Sequence, residues 1–265
     1  MKIRLVDTHA HLNMPEFDAD REAVIQRAAG AGVDTIITVG TDMSANRAAV
    51  ALAASHEGIY AAVGFPPQDA GLMQPDDIPE LTALARHPKI KAIGETGLDY
   101  YRMNSSRDVQ LKVLQWHLEI AVASRLPVII HSRRADRDMP SLLGRWAATL
   151  DKVKMPAPGV IHCFQSDADL AGRYLAMGFY IAFGAYTGYP SSHLADAIRL
   201  IPPDRLLVET DSPYLPPQNL RGKRNEPSYI LQTAELLAGI RGESFASIAQ
   251  HTTENACRLF RIGSS

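Results

Sequence analysis

The chain has 265 residues, of which 46% are hydrophobic, and a formal net charge of −2. This length suits a (β/α)8 barrel, which takes ~250 residues; the charge balance excludes a polycation, so any contact with nucleic acid has to come from local basic patches. Two cysteines, Cys163 and Cys257, are too few for a disulfide framework and point to a reducing cytoplasm.

Lys2 and Arg4 interrupt the first apolar residues, so no signal peptide is expected. The run 3–6 predicts a first strand leading into Asp7-Thr8-His9-Ala10-His11, and helical periodicity follows over 21–31. Strand 35–39 precedes helix 45–55, and strand 60–63 leads into the loop Phe65-Pro66-Pro67. Strand 90–93 leads to Gly94-Glu95, with a helix over 108–124. Strands 127–130, 159–161, 179–183 and 206–208 follow, with a helix over 170–177 and a closing helix over 245–260. Tyr214-Leu215-Pro216-Pro217 reads as a loop after the last strand rather than a domain boundary. Strands that alternate with helices form a parallel sheet, because each crossover returns to the same sheet edge. Eight such units at this length predict an α/β fold, a closed (β/α)8 TIM barrel spanning 1–265 as one domain. No run approaches the ~18 apolar residues of a membrane span.

Side chains two apart on a strand share a face, so Asp7, His9 and His11 are expected to project together. Two imidazoles at that spacing can share a metal ion. Glu95, His131, His162 and Asp211 each follow an apolar strand, and a barrel opens all its strand C-termini on one face. Six candidate ligands thus converge: His9, His11, Glu95, His131, His162 and Asp211. They are too many for one four-coordinate zinc. Two divalent ions (zinc, magnesium or manganese) are expected, with Glu95 as the bridge. His9, His11 and Asp211 are assigned to one ion, His131 and His162 to the other. Such a pair activates water for hydrolysis. Asp211 would accept the water's proton, and Glu209 is a further catalytic candidate on the same face. His56, His87, His117, His193 and His251 fall in or near helices and are read as structural. Cys163 is expected to point away from the site into the core.

Two loops carry basic clusters, Arg133, Arg134 and Arg137 after the fifth strand, and Arg221, Lys223, Arg224 and Asn225 after the eighth. Arginine forks match phosphate oxygens. The second cluster is preferred, because acids interleave the first evenly. Phe65, Tyr100, Tyr101 and Tyr214 are candidates to stack on a base.

The segments Asp7-Thr8-His9-Ala10-His11-Leu12, Gly94-Glu95-Thr96-Gly97-Leu98-Asp99-Tyr100, His131-Ser132-Arg133, His162-Cys163-Phe164, Glu209-Thr210-Asp211-Ser212-Pro213-Tyr214-Leu215 and Arg221-Gly222-Lys223-Arg224-Asn225-Glu226-Pro227 together resemble the TatD family of metal-dependent deoxyribonucleases across essentially the whole chain. The resemblance implies a hydrolase that removes nucleotides from DNA, often from single-stranded or 3′ ends, with the six ligands named above as the family's own. It implies no membrane and no obligate protein partner. One position departs. The family usually carries Gly-x-His-Pro after the third strand, and here Gly64-Phe65-Pro66-Pro67-Gln68 stands instead. Proline offers no side-chain donor, acceptor or titratable group. A weakened nuclease is therefore one expectation. An amide or ester hydrolase, such as a deacylase, is the alternative, since the same centre can attack a carbonyl carbon. A metalloprotein without turnover is the third reading.

Overall fold

The computed structural model describes residues 4–190 and 193–263. Eight parallel strands run in sequential order, β1 (Leu5–Ala10), β2 (Val33–Val39), β3 (Ile59–Val63), β4 (Ile90–Asp99), β5 (Val128–Arg133), β6 (Gly159–Ile161), β7 (Tyr180–Phe183) and β8 (Leu206–Val208). Between and after them lie α1 (Arg21–Gly30), α2 (Met43–Ser55), α3 (Asp77–Leu84), α4 (Arg107–Ser124), α5 (Asp138–Ala148), α6 (Ala168–Ala176), α7 (Ala195–Leu200), α8 (Ile230–Arg241) and α9 (Phe245–Phe260). Residue 3 of the first expected strand lies outside the described residues. No helix among the described residues is long and apolar enough to cross a membrane.

Side-chain polarity closes the seam between β1 and β8. Thr8 Oγ1 donates to the Val208 carbonyl (2.8 Å), and the Asp7 carboxylate accepts from Thr210 N and Thr210 Oγ1. Backbone bonds from Asp211 N to His9 O (2.8 Å) and from His11 N to Ser212 O (2.7 Å) continue the closure past the end of β8. The barrel is therefore a TIM barrel, as expected. Its apolar residues form two layers. Val6, Ile37, Ala92, Ile129, Val160 and Leu207 fill the interior, and Leu259, Phe260 and Ile262 of the C-terminal segment cover it from below. The outward-facing set, including Leu5, Ile36, Ile130 and Phe183, packs under the helices.

Three strands run further than their apolar segments indicate, and the first of them, β1, continues to Ala10. β4 continues to Asp99 and β5 to Arg133, because the two stay paired through Gly97↔His131 and Asp99↔Arg133. Glycines at 94 and 97 weaken the strand signal there. Gly97 also has no substitute at its place: φ is +149°, and a Cβ would fall 1.9 Å from the His131 carbonyl oxygen. That absent side chain lets β4 lie against the strand carrying His131.

Candidate metal centre

Five strands deliver the six expected ligands to one mouth of the barrel. His9 lies in β1 and His11 one residue beyond it. Glu95 lies in β4 and His131 in β5. His162 directly follows β6, and Asp211 sits three residues beyond β8. Asp211 adopts φ +58° and Cys163 φ +44°, left-handed values that are uncommon outside glycine. Asp7 does not join the group. The register of β1 is irregular between Asp7 and Ala10, and Asp7 turns into the seam with Thr210. Burial pushes its carboxyl up to about 7.

Donor atoms converge in three overlapping sets, His9–His11–Glu95, Glu95–His131–His162 and His9–His162–Asp211, the ligand atoms of each within 4.8 Å of one another. Glu95 divides its oxygens between two sides. Oε2 faces His9 Nε2 (3.5 Å), while Oε1 faces His131 Nδ1 (2.8 Å) and His162 Nε2 (3.5 Å). Asp211 Oδ1 lies 3.6 Å from His9 Nε2 and 3.5 Å from His11 Nε2.

The outer nitrogens of three imidazoles are held from behind. His11 Nδ1 contacts the Val39 carbonyl (3.0 Å), His131 Nε2 the Asp99 carboxylate (3.2 Å) and His162 Nδ1 the Glu209 carboxylate (3.0 Å). A hydrogen donated outward leaves the lone pair of the inner nitrogen aimed at the centre, as in metal-ligating histidines. His9 stacks on His162 at 4.0 Å between ring centroids.

The electrostatics favour a cation. Burial opposes ionisation of Glu95, yet His162 and its hydrogen-bonding imidazoles hold it well below the usual carboxylate range. Against the same opposition, hydrogen bonding from His11 lowers Asp211. Burial works against a charged His162, but Glu209 and Glu95 hold it well above the usual range. Two ionised carboxylates among imidazoles are a fitting donor set for divalent ions, which would displace imidazole protons on binding.

Several expectations about the surroundings are corrected. Glu209 is 1% exposed and does not reach the mouth. It accepts from His162 Nδ1 and from Cys163 N, so it positions the His162 ring. Cys163 is not in the core. Its left-handed backbone turns it to the cavity, where Gln165 Nε2 donates to Sγ (3.2 Å). Asn225 is fully buried, its amide donating to the carbonyls of Thr210 and Tyr214. Arg224 is clamped by Asp20 (2.8 Å) and lies over Phe17. Arg221 and Lys223 are exposed but outside the cavity. Phe65 is 2% exposed and packs against His117, so it cannot stack on a base. Tyr100 is tied to Asp138 through its hydroxyl.

The first basic loop, not the second, faces the centre. A cavity of about 770 Å³ lies over the donor cluster, and Arg102, Arg133 and Arg134 line it. Arg133 and Arg134 lie over the Tyr101 ring at 4.2 and 5.1 Å. Neither has a carboxylate partner among the described residues; nearby Asp138 pairs with Arg107 (2.6 Å). Arg137 is exposed at the start of α5, outside the cavity lining. Tyr214 stands edge-on to His11 at the rim, 48% exposed. His56, His87, His117, His193 and His251 all lie away from the cavity.

Asp99 and Gln68 escape the sequence reading. Asp99 accepts from Tyr101 N and Arg102 N (both 2.9 Å), from Gln68 Nε2 (3.0 Å) and from the His131 ring. The signal was present: Asp99 is four residues after Glu95 on one strand, hence on the same face.

A parallel barrel whose C-terminal mouth gathers such donors is a metal-dependent hydrolase by its fold and site. The family model described as "TatD related DNase" matches residues 6–261. The chain is 40% identical to the "Uncharacterized metal-dependent hydrolase YabD" of Bacillus subtilis, over 97% of this chain and 99% of that one. It is 35% identical to the "3'-5' ssDNA/RNA exonuclease TatD" of Cronobacter sakazakii, over 97% of each. The crystal structure of YjjV, a TatD homologue from Escherichia coli, superposes with a TM-score of 0.92 at 33% identity, covering 99% of this chain and 100% of that one. The chain belongs to the TatD family.

Proposed function

We propose that this hydrolase removes nucleotides from the 3′ end of single-stranded nucleic acid, using two divalent ions that share Glu95. The division of the Glu95 oxygens between two imidazole groups carries the reading. His9, His11 and Asp211 would hold one ion, His131 and His162 the other. When bound, the ions supply Lewis-acid activation of water and charge neutralisation at the phosphoryl oxygens. Asp211, ionised at the rim, accepts the proton of the attacking water. Arg133 and Arg134, buttressed by Tyr101, bind phosphate and orient the strand. The 3′–5′ polarity and the single strand follow the name of the Cronobacter relative. Two free cysteines accord with a reducing cytoplasm.

Protein loaded in turn with manganese, magnesium or zinc is incubated with strands labelled at either end. Progressive shortening from the 3′ end is expected, with all turnover lost in Glu95→Ala. An intact strand alongside turnover of simple esters would overturn the proposal in favour of a deacylase. Full strand cleavage by Glu95→Ala would remove the shared carboxylate from the account.

A further inference from the structure

At the end of the barrel opposite the metal centre, a pocket of about 150 Å³ is lined by Arg125, Arg205, Arg258 and Arg261. Buried Tyr180 and Leu259 belong to its wall, and no Asp or Glu lines it. The arginines come from three places: the C-cap of α4, the residue before β8, and the end of α9.

Their partners orient them with little neutralisation. Arg258 Nη1 donates to Asn255 Oδ1 (3.2 Å), and Arg261 Nη2 donates to the Lys154 carbonyl (2.6 Å). The Arg125 guanidinium has no hydrogen-bond or carboxylate partner among the described residues. Only Arg205 meets a carboxylate, that of the exposed Asp204 (2.8 Å), and its guanidinium lies 5.1 Å over the Tyr180 ring. Elsewhere Arg4, Arg27, Arg47, Arg107, Arg224 and Arg241 sit on carboxylates at 2.6 to 2.8 Å. The same positive potential reaches Lys91 beside the pocket, which burial and then Lys89 and Arg261 push down. Cations at the ends of α4 and α9 complement the helix dipoles. Each dipole offers only about half a charge, however, and leaves most guanidinium donors free.

We propose that this pocket is an anion site for a phosphate or diphosphate group, either free or at the end of a nucleotide. Guanidinium forks held by neutral acceptors keep both their charge and their remaining N–H groups for such a ligand. The volume is below the ~300 Å³ at which pockets for whole small molecules begin, so a base and sugar would lie outside it.

Calorimetric titration of inorganic pyrophosphate into the full chain, freed of divalent ions, tests the site. Binding is expected to weaken at least tenfold in Arg125→Gln/Arg258→Gln and to persist in Arg133→Gln/Arg134→Gln, which alters only the metal-centre cavity. Turnover at the metal centre should be unchanged in the first variant, showing that it folds. Titration with a nucleoside diphosphate separates the two sources. Tighter binding than pyrophosphate, again lost in the first variant, assigns the group to a nucleotide; equal or weaker binding assigns it to the free anion. Pyrophosphate affinity unchanged by Arg125→Gln/Arg258→Gln, or absent in the native chain, would overturn the proposal. A lower melting temperature with unchanged affinity would reduce these arginines to helix capping.

Discussion

Glu209 shows how a residue without access to substrate can control the centre. Its carboxylate is 1% exposed and holds both the His162 ring and the Cys163 amide. Glu209→Gln keeps an acceptor but loses the charge that supports the imidazole. Partners of this kind typically contribute ~10–100-fold to metal affinity. The variant should bind manganese or zinc weaker by that order, and extra metal should restore much of its turnover. Unchanged affinity in a direct metal titration would leave Glu209 a purely structural residue. Position 66 is the converse, a residue that reaches the cavity but brings no chemistry to it. Pro66 lines the space above the ligands. Pro66→His would place a titratable group there, and cleavage should rise by roughly tenfold, less than the ~10²–10⁴ of an evolved general acid. No change in the rate of strand cleavage would count against a missing acid as the departure that matters.

The loop carrying Pro66 is fixed by another element, through a histidine outside the donor cluster. His117 of α4 is fully buried, its Nδ1 facing the Val113 carbonyl (2.8 Å) and its Nε2 accepting from Phe65 N (3.0 Å). Burial holds this imidazole down to about 4, against an ordinary 6.5. Between those values the unfolded chain binds a proton that the native state refuses. This contribution to stability is therefore complete above pH 6.5 and is lost as pH falls toward 4. From pH 8 to pH 5 the native chain should lose about 2 kcal/mol more than His117→Gln, measured by urea unfolding at both values. Equal losses would show that the ring is not kept neutral. Legibility at this scale follows the strength of the local pattern. The closing helix 245–260 was readable because its apolar face repeats at helical spacing. The strand ends at Asp99 and Arg133 were not, because glycine and polar residues there are kept in the sheet by pairing with a neighbour. The donor cluster was legible because its members follow apolar runs. The roles of Glu209, Asn225 and Cys163 were not, since a left-handed turn or a buried carbonyl decides where each side chain goes.

At the scale of the whole barrel, the ligand set is also a set of ties. His9, Glu95, His131, His162 and Asp211 come from five strand ends, and His11 adds the link toward β2 through Val39. The β1–β8 seam, where Asp7 bonds Thr210, is adjacent in sequence to His9 and Asp211, so an ion held by those two would tie the closure. The carboxylates and imidazoles of this cluster are buried within 2.8 to 3.6 Å of one another, a concentration of charge that a bound cation would offset. Any ligand that binds the native state alone stabilises it by RT ln(1 + [L]/Kd), about 2.7 kcal/mol at a hundredfold excess over Kd. For a chain of this length, 1 kcal/mol moves the melting temperature by roughly 2–4 °C. Chelation should therefore lower the melting temperature by roughly 5–10 °C, and restoring manganese or zinc should recover it. Glu95→Gln should melt near the chelated value and respond weakly to added metal, because the carboxylate shared by both groups is gone. Equal melting temperatures with and without chelator, in protein shown to carry metal, would mean that the ions sit in a mouth already rigid without them.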